Sequence, residues 1–354
     1  MGALLYLTSP LVVVIAAWGF WAGGWWVITG AVSFTALAVL DQLLPRDYSA
    51  HQLPRPLLWQ AVFYLHYPLL MAMWFALGAA LGDGRIEGLQ VLAAVLSLAL
   101  LSGGVGLPAS HELMHGKSLA SRVGADLIGT TVGIPMTELA HVNVHHLHLG
   151  TPEDGDTPRR GENVYSFGAR SIWAQLTESL KLEAGRLERQ GRGLWSPRGR
   201  LLWGVAAQAA FAVVFCALAG PLLGVPVLLA GWLLGYLVMA DYNYVQHYGL
   251  VRVPGAPIEP RHAWNHLKPL SRRLTFEITT HSQHHLDPDR PYHRLEAMPE
   301  APQLPGVWFC FLVSFAPPLW HRMMQGYLAA WDRQHANAAE RDLATAANAA
   351  AGWA

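Results

Sequence analysis

Charged side chains are scarce in this chain of 354 residues, where Asp, Glu, Lys and Arg together make up 14% of the sequence. Residues 1–40 contain none of them, and 24 basic residues balance 24 acidic ones to a formal net charge of zero. A nucleic-acid-binding surface needs an excess of Lys and Arg, so the sequence indicates no nucleic-acid partner. Because 53% of the residues are hydrophobic, an ordinary soluble domain is also disfavoured.

Cysteine is rare as well, since Cys216 and Cys310 are the only two and both lie in apolar surroundings. They are too few for a disulfide scaffold, and they cannot supply the four thiolates of a rubredoxin or an iron–sulfur cluster. The glycine-rich fingerprint of a nucleotide-binding unit is absent from the sequence too. The chain therefore encodes no electron-transfer cofactor site of these kinds.

Long apolar runs are abundant instead. A helix crosses the core of a bilayer with about 20 apolar residues, and six runs of roughly this length form three hairpins. The predicted spans are about 3–20, 25–44, 57–81, 88–109, 201–219 and 221–245. No basic segment precedes the first run, so we expect it to be retained as a span and not cleaved as a signal peptide. We predict an all-α polytopic membrane protein, with residues 1–354 as a single integral-membrane domain.

Basic residues are distributed unevenly between the connecting segments. Eleven of them lie between residues 110 and 200, whereas the turns of the three hairpins contain only Arg85. Cytoplasmic loops carry the excess of Lys and Arg, so both termini and the polar regions 110–199 and 246–354 are predicted to be cytoplasmic. We expect six membrane helices under a cytoplasmic helical cap, and an Ala-rich tail after Ala336 without chemistry of its own.

Nine histidines lie in four blocks outside the predicted spans, two of them near span ends. If the block at 141–146 is helical, its i, i+4 and i+5 spacing places three imidazoles on nearly one face. Neutral imidazole binds iron, zinc, copper and nickel. One such ion takes about four to six ligands, and nine histidines exceed that number. We therefore predict a polyhistidine site for two metal ions. The candidate ligands are His111, His115, His141, His145, His146, His247, His281, His284 and His285.

Carboxylates beside these blocks are few, unlike in soluble di-iron bundles, which use Glu and Glu-x-x-His ligands. We expect nearby polar side chains to orient the imidazoles through their second ring nitrogen, although direct ligation by one carboxylate is an alternative. The candidates are Glu112, Glu138, Asp154, Asp156, His262, Asn265, His266 and Asp287. No catalytic residue beyond the metal ligands is predicted.

A function without catalysis is also open, namely a histidine-rich carrier or metal store in the membrane. Carriers place charged groups or histidines within their spans to form a pathway. Here only His66 and, close to a span end, Asp241 qualify. The pattern therefore favours an enzyme.

The four histidine blocks resemble the histidine boxes of the membrane-bound non-haem di-iron hydroxylases. This family includes alkane monooxygenases, xylene monooxygenases and fatty-acid desaturases. The His-Tyr-Gly-Leu sequence at 247–250 is similar to the alkane and xylene branch and not to the desaturases. The boxes are His111-Glu-Leu-Met-His115, His141-x-x-x-His-His146, Asn243-Tyr-x-x-His-Tyr-Gly-Leu250 and His281-x-x-His-His285.

Within that branch, the chain most resembles the hydroxylase subunits of xylene monooxygenases. The similar segments are 140–148, 155–158, 248–252, 262–266 and 277–281. Gly116 and Gln246 stand where alkane-type members usually have Lys and Glu. These differences weaken a linear-alkane assignment without removing a histidine.

The resemblance implies two non-haem iron ions held by the nine histidines, with O2 as co-substrate. It implies hydroxylation of hydrocarbon methyl groups, in particular the side-chain methyls of xylene, toluene or cymene, to primary alcohols. Terminal hydroxylation of alkanes is the alternative, and desaturation or hydroxylation of fatty acyl chains is a third. Electrons would come from NADH through a separate flavin and iron–sulfur reductase, or through rubredoxin in the alkane alternative.

The resemblance also implies a setting, an inner membrane of a bacterium with the active site in the cytoplasm. A hydrophobic substrate would then enter from the lipid bilayer into a cavity between the spans. Candidate walls of this cavity are Trp59, Phe63, Tyr64, Trp74 and Phe75. Ordinary packing or contact with lipid explains each of these aromatic residues equally well.

Overall fold

The computed structural model describes residues 2–51 and 56–353, with side chains for residues 4–51 and 60–353. Within these ranges the chain is helical and forms no β-strand. Six of the helical segments described there are long and apolar enough to cross a membrane, which confirms the predicted fold class. The candidate spans are Leu4–Ala22, Gly24–Leu43, Gln60–Gly82, Leu89–Met114, Arg200–Ala219 and Pro221–His247.

The α-helices are numbered in chain order. The first eight are α1 (Thr8–Ala22), α2 (Thr29–Leu43), α3 (Pro56–Gly82), α4 (Leu89–Gly104), α5 (Gly106–Met114), α6 (Leu119–Gly129), α7 (Thr137–Ala140) and α8 (His146–His148). The others are α9 (Val164–Glu188), α10 (Arg200–Ala219), α11 (Pro221–His247), α12 (Pro269–Leu274), α13 (His281–Leu286), α14 (Val307–Ser314), α15 (Pro317–Gln334) and α16 (Ala338–Ala350). Gly23 and Gly220 turn the first and third hairpins with positive φ angles of 74° and 75°, which glycine adopts without a steric penalty.

One compact unit contains most of the apolar helices. Its described residues fall within Met1–Ala36, Leu53–Leu139 and Leu176–Met239. Helices in membranes pack through small residues that let backbones approach closely. A Cβ on Gly82 would collide with the carbonyl oxygen of Leu218, so only glycine fits there. Trp74 packs edge-on against Phe211 and Phe215, with ring centroids 5.1 and 5.2 Å away.

A second compact unit contains most of the polar chain. Its described residues fall within Leu37–Gln52, Ala140–Gln175 and Ala240–Ala354. Its interior contains both aromatic contacts and buried ion pairs. Tyr242 meets Phe311 edge-on at 4.7 Å, and the buried guanidinium of Arg160 pairs with Asp332 at 2.6 Å. Buried charges require such partners, so polar contacts determine how this unit is arranged. That the chain forms a single domain stays a prediction.

Candidate metal centre

The second histidine block is not a regular α-helix. Residues His141–His145 form a π-helical turn, and α8 continues from His146. In a π-helical turn the hydrogen bonds run from i to i+5, so His141 and His146 face the same way. Their Nε2 atoms lie 3.2 Å apart. His145 belongs to a different cluster of imidazoles, whereas a regular helix would place all three on nearly one face.

Four buried histidines of the second unit converge in what we call group A, which consists of His145, His247, His281 and His285. His281 and His285 are one turn apart on α13, and His247 is the last residue of α11. The Nε2 atom of His247 lies 2.8 Å from that of His281 and 3.2 Å from that of His285. One nitrogen from each of the four lies within 4.8 Å of the others.

Three more histidines of the same unit form what we call group B, which consists of His141, His146 and His284. All three are buried. His284 occupies the i+3 position of α13, and its Nε2 atom lies 3.2 Å from that of His146. The i, i+3, i+4 spacing of the last block thus serves both groups, since α13 contributes one histidine to group B and two to group A.

The first histidine block lies in the other compact unit. His111 is on α5 and His115 ends that helix, with the two rings 4.8 Å apart. His111 falls inside the candidate span Leu89–Met114, and His247 is the last residue of the candidate span Pro221–His247, although the sequence predicts that all nine histidines lie outside the spans. The predicted span ended at 109, but the small and apolar residues of α5 continue the helix beyond that point.

Hydrogen bonds to the backbone determine which ring nitrogen carries the proton in two group A histidines. A carbonyl oxygen can only accept, so a ring nitrogen bonded to it carries the proton. His281 Nδ1 donates to the Ile278 carbonyl at 3.0 Å, and His247 Nδ1 donates to the His262 carbonyl at 3.3 Å. In the neutral rings, both Nε2 atoms therefore present lone pairs to each other at 2.8 Å.

Two facing lone pairs repel, and a proton between them would create a buried charge. Burial and the neighbouring imidazoles hold the pKa values of His281 and His285 well below the usual range. A metal cation would remove the repulsion without protonating a ring. Ligand nitrogens about 3 Å apart also match metal–nitrogen bonds of about 2.0–2.1 Å. Group A therefore fits a metal ion that accepts neutral imidazole ligands.

The third proton position in group A is determined by a carboxylate. His145 Nδ1 donates to Asp154 Oδ2 at 2.8 Å, and His145 Nε2 has no hydrogen-bond partner among the described residues. Burial alone would lower the pKa of His145, but the Asp154 carboxylate outweighs it and raises that pKa. Burial would likewise raise the pKa of Asp154, yet His145 and Thr157 keep it below its usual range. The contact orients His145 with Nε2 available to a metal.

A loop of polar contacts holds Asp154 in place. The backbone N–H of Asp156 donates to Asp154 Oδ1 at 2.9 Å. The Asp156 carboxylate in turn accepts from Ser171 at 2.5 Å and from Gln175 at 2.7 Å, both on α9. Burial and the nearby Asp154 charge raise the pKa of Asp156. Helix α9 thus supports the carboxylate that orients His145.

The remaining side chains predicted to orient imidazoles have other partners. These partners are Arg200 for Glu138, Arg290 for Asp287, Ser282 for Asn265, the Pro305 carbonyl for His266 and Glu340 for His262. Glu112 is half-buried beside His111 on α5. Among these six residues, His262 contacts a histidine of group A, and it does so through its backbone carbonyl. The predicted orienting role of the other side chains stays a prediction.

Two further residues support group A without having been predicted to do so. The Ile278 carbonyl accepts from His281 Nδ1, and it also accepts from Gln246 Nε2 at 3.1 Å. Every residue has a carbonyl, so no sequence signal identifies Ile278. Gln246 is noticeable in the sequence only as a difference from the alkane pattern.

The aromatic residues predicted to line a substrate cavity lie on α3. Phe63 and Trp74 are buried, Phe75 is half-buried, and Tyr64 is 40% exposed. The side chain of Trp59 lies outside the described residues. Their role as cavity walls stays a prediction.

Several known proteins are similar to this chain in sequence. The profile of the fatty acid desaturase family matches residues 88–308. The xylene/toluene monooxygenase hydroxylase component of Pseudomonas putida is 41% identical, in an alignment that covers 100% of this chain and 96% of that protein. An alkane 1-monooxygenase of Pseudomonas putida is 28% identical over 91% of this chain and 83% of its own length. An alkane 1-monooxygenase of Ectopseudomonas oleovorans is 29% identical, with coverages of 92% and 86%.

These similarities span the membrane helices and all four histidine boxes, and they confirm the family predicted from the boxes. Together with six apolar helices, they identify an integral membrane protein, and its histidine clusters suggest a metal site. The chain belongs to the fatty acid desaturase family, in the branch of membrane-bound, oxygen-dependent monooxygenases that includes the xylene/toluene and alkane enzymes.

Proposed function

We propose that this chain hydroxylates methyl groups on aromatic hydrocarbons such as xylene, toluene or cymene, giving primary alcohols. The observation that carries the proposal is the convergence of buried imidazoles in a chain with a full-length relative named for xylene and toluene. One oxygen atom of O2 would enter the C–H bond, and the other would leave as water after uptake of electrons and protons. Terminal hydroxylation of alkanes is the second candidate, supported by the alkane 1-monooxygenase relatives.

We propose that the nine histidines hold two iron ions. Group A would hold one iron, group B would contribute to the other, and His111 and His115 would supply the remaining imidazoles of the boxes. Bound iron would supply the O2-binding and redox chemistry that hydroxylation requires. The protein's own contribution is to aim the Nε2 lone pairs of His145, His247 and His281 at one point, through the acceptors that hold their Nδ1 protons. Burial of these rings also excludes water.

Electrons would come from NADH through a separate reductase. Two cysteines in apolar surroundings cannot form an iron–sulfur cluster, and the sequence has no nucleotide-binding fingerprint. A flavin and iron–sulfur reductase is the proposed partner, with rubredoxin in the alkane alternative. The excess of basic residues between 110 and 200 supports a cytoplasmic active site at a bacterial inner membrane. A hydrophobic substrate could then leave the lipid bilayer and enter a cavity between the spans.

The substrate class can be tested in cells that express the chain together with a flavin and iron–sulfur NADH reductase. Cultures receive p-xylene or octane under air or under argon, and the alcohols are quantified by gas chromatography. We expect benzylic alcohol from p-xylene that depends on O2, with little 1-octanol. The variant His285→Ala is the matched control, because it removes one group A imidazole and should form neither product.

The outcomes separate the two candidate functions. Octanol without benzylic alcohol would transfer the assignment to alkane hydroxylation despite Gly116 and Gln246. No product from either hydrocarbon, in a chain that retains iron, would leave the metal centre intact and refute both substrate classes.

Asp154 offers a separate test of the metal centre. In Asp154→Asn, the amide cannot carry the negative charge that accepts the Nδ1 proton of His145. Loss of such a partner lowers metal affinity by about 10–100-fold, and we expect that loss for one metal ion of the pair. The measurement is metal retained by detergent-purified protein during titration with a chelator. Asp83→Asn is the control, since Asp83 is exposed and pairs with Arg85 in a hairpin turn; equal losses in both variants would contradict the role of Asp154.

A further inference from the structure

The Ala-rich C-terminal segment forms helix α16, and it makes polar contacts at both of its ends. Near its beginning, the buried carboxylate of Glu340 accepts from His262 Nε2 at 2.7 Å and from Arg261 Nε at 2.8 Å. Near its end, Asn348 Oδ1 accepts from Arg160 at 2.8 Å. Most of the other residues of the helix are exposed or half-buried. The segment is therefore attached by specific polar groups more than by an apolar face.

The contact with Glu340 determines the state of the His262 ring. The backbone N–H of Glu259 donates to His262 Nδ1 at 3.0 Å, so Nδ1 carries the lone pair in the neutral ring. Nε2 then carries the proton and donates it to Glu340. The ring is held at both nitrogens, and this fixes the position of residue 262.

His262 in turn holds a histidine of group A. Its backbone carbonyl accepts from His247 Nδ1 at 3.3 Å, and this bond points His247 Nε2 toward His281 and His285. A continuous chain of contacts therefore runs from Glu340 through the ring and then the carbonyl of His262 to His247. Each member of this chain is at least 90% buried.

A second set of contacts reaches the backbone close to the same histidine. Arg160 Nε donates to the carbonyl of Gly249 at 2.8 Å, two residues after His247. The guanidinium also pairs with Asp332 at 2.6 Å and donates to Asn348 at 2.8 Å. Gly249 has a φ of +68°, which glycine tolerates and other residues rarely adopt. Both ends of α16 are thus linked by hydrogen bonds to residues that contact the segment around His247.

We propose that Glu340 is a positioning residue of the metal centre, and that α16 holds His247 in its metal-binding orientation through His262. The inference rests on the proposed metal site at group A. It assigns to the C-terminal helix a function in metal binding that its Ala-rich sequence gives no reason to expect. Because group B does not contain His247, the effect is confined to one of the two metals.

An alternative role for Glu340 has to be separated from this one. Glu340 also takes part in the capping box of α16, in which Asn337 Oδ1 accepts from the Glu340 N–H and Glu340 Oε2 accepts from the Asn337 N–H. Asn337→Ala weakens the same cap but leaves the carboxylate on His262. It is therefore the matched control for Glu340→Ala.

The experiment measures ferrous iron bound per chain, with the full-length protein in detergent, by elemental analysis during a chelator titration. For Glu340→Ala we expect one of two iron equivalents to be lost at about 10–100-fold lower chelator concentration, while the other equivalent is unaffected. Asn337→Ala should keep both equivalents at unchanged affinity. Glu340→Gln should restore much of the lost affinity, because its amide oxygen can still accept from His262 Nε2.

Each outcome decides between the explanations. If the unsubstituted chain binds no iron, the proposed metal centre fails. If it binds two equivalents and Glu340→Ala does so with unchanged affinity, or if Asn337→Ala causes the same loss, only the positioning role fails. Should Glu340→Ala not be recovered folded, His262→Ala interrupts the same contact from the other end and keeps the carbonyl, and it must show the same selective loss.

Discussion

Replacing His281 by Ala should abolish oxygen-dependent hydroxylation in this protein. The Nε2 atom of His281 lies 2.8 Å from that of His247 and 3.1 Å from that of His285, so it is central to group A. A residue that only orients a ligand contributes about 10–100-fold to metal affinity or activity. Loss of a ligand itself should therefore lower product formation by more than about 100-fold.

The measurement is product formed in the reconstituted cells, together with iron bound by the purified variant. His148→Ala is the control, because His148 is in α8 beside His146 but belongs to neither group. We expect the control to keep both iron equivalents and most of the activity. Hydroxylation by His281→Ala near the level of the unsubstituted chain would refute the assignment of group A.

The membrane helices could be predicted because the signal is local. An apolar run of sufficient length becomes a span irrespective of its neighbours, and all six were recognised. The histidine blocks were equally accessible, since each of them is a short local run of the sequence. The sequence did not reveal how the histidines divide, because the π-helical turn at His141–His145 has no recognisable sequence pattern.

The supporting contacts were predictable only where they are close in sequence. Asp154 lies nine residues from His145, and it is among the side chains predicted to orient an imidazole of the site. Glu340 is separated from His262 by 78 residues and lies in a segment whose composition suggests no chemistry. The positions of the Ile278 and His262 carbonyls depend on the backbone conformation. Tertiary packing sets that conformation, so no local sequence pattern identifies these acceptors.

In the turn before the last histidine block, tertiary packing holds two residues in an unfavourable backbone conformation. Phe276 and Glu277 have positive φ angles of 50° and 63°, a conformation that costs L-residues about 1–2 kcal/mol each. The next residue, Ile278, supplies the carbonyl that holds His281 Nδ1. Other contacts must therefore hold this turn, and the most prominent are those of the Glu277 carboxylate.

Glu277→Ala should lower the free energy of unfolding by about 3–5 kcal/mol, the cost of breaking a buried ion pair by removing one partner. The carboxylate is fully buried and accepts from Arg272 Nε at 2.6 Å and from Arg273 at 2.7 Å. Without it, two buried guanidinium groups lose their closest negative partner in a turn that is already strained.

The change is measured by denaturant unfolding of the detergent-solubilised protein, with Glu296→Ala as the control because Glu296 is exposed. Glu277→Gln keeps the shape of the side chain but removes its charge, so it should fall between the other two variants. If Glu277→Ala were as stable as the control, the ion pairs would not be what holds the turn. The position of the Ile278 carbonyl, and with it the orientation of His281, would then depend on the hydrogen bond from Gln246.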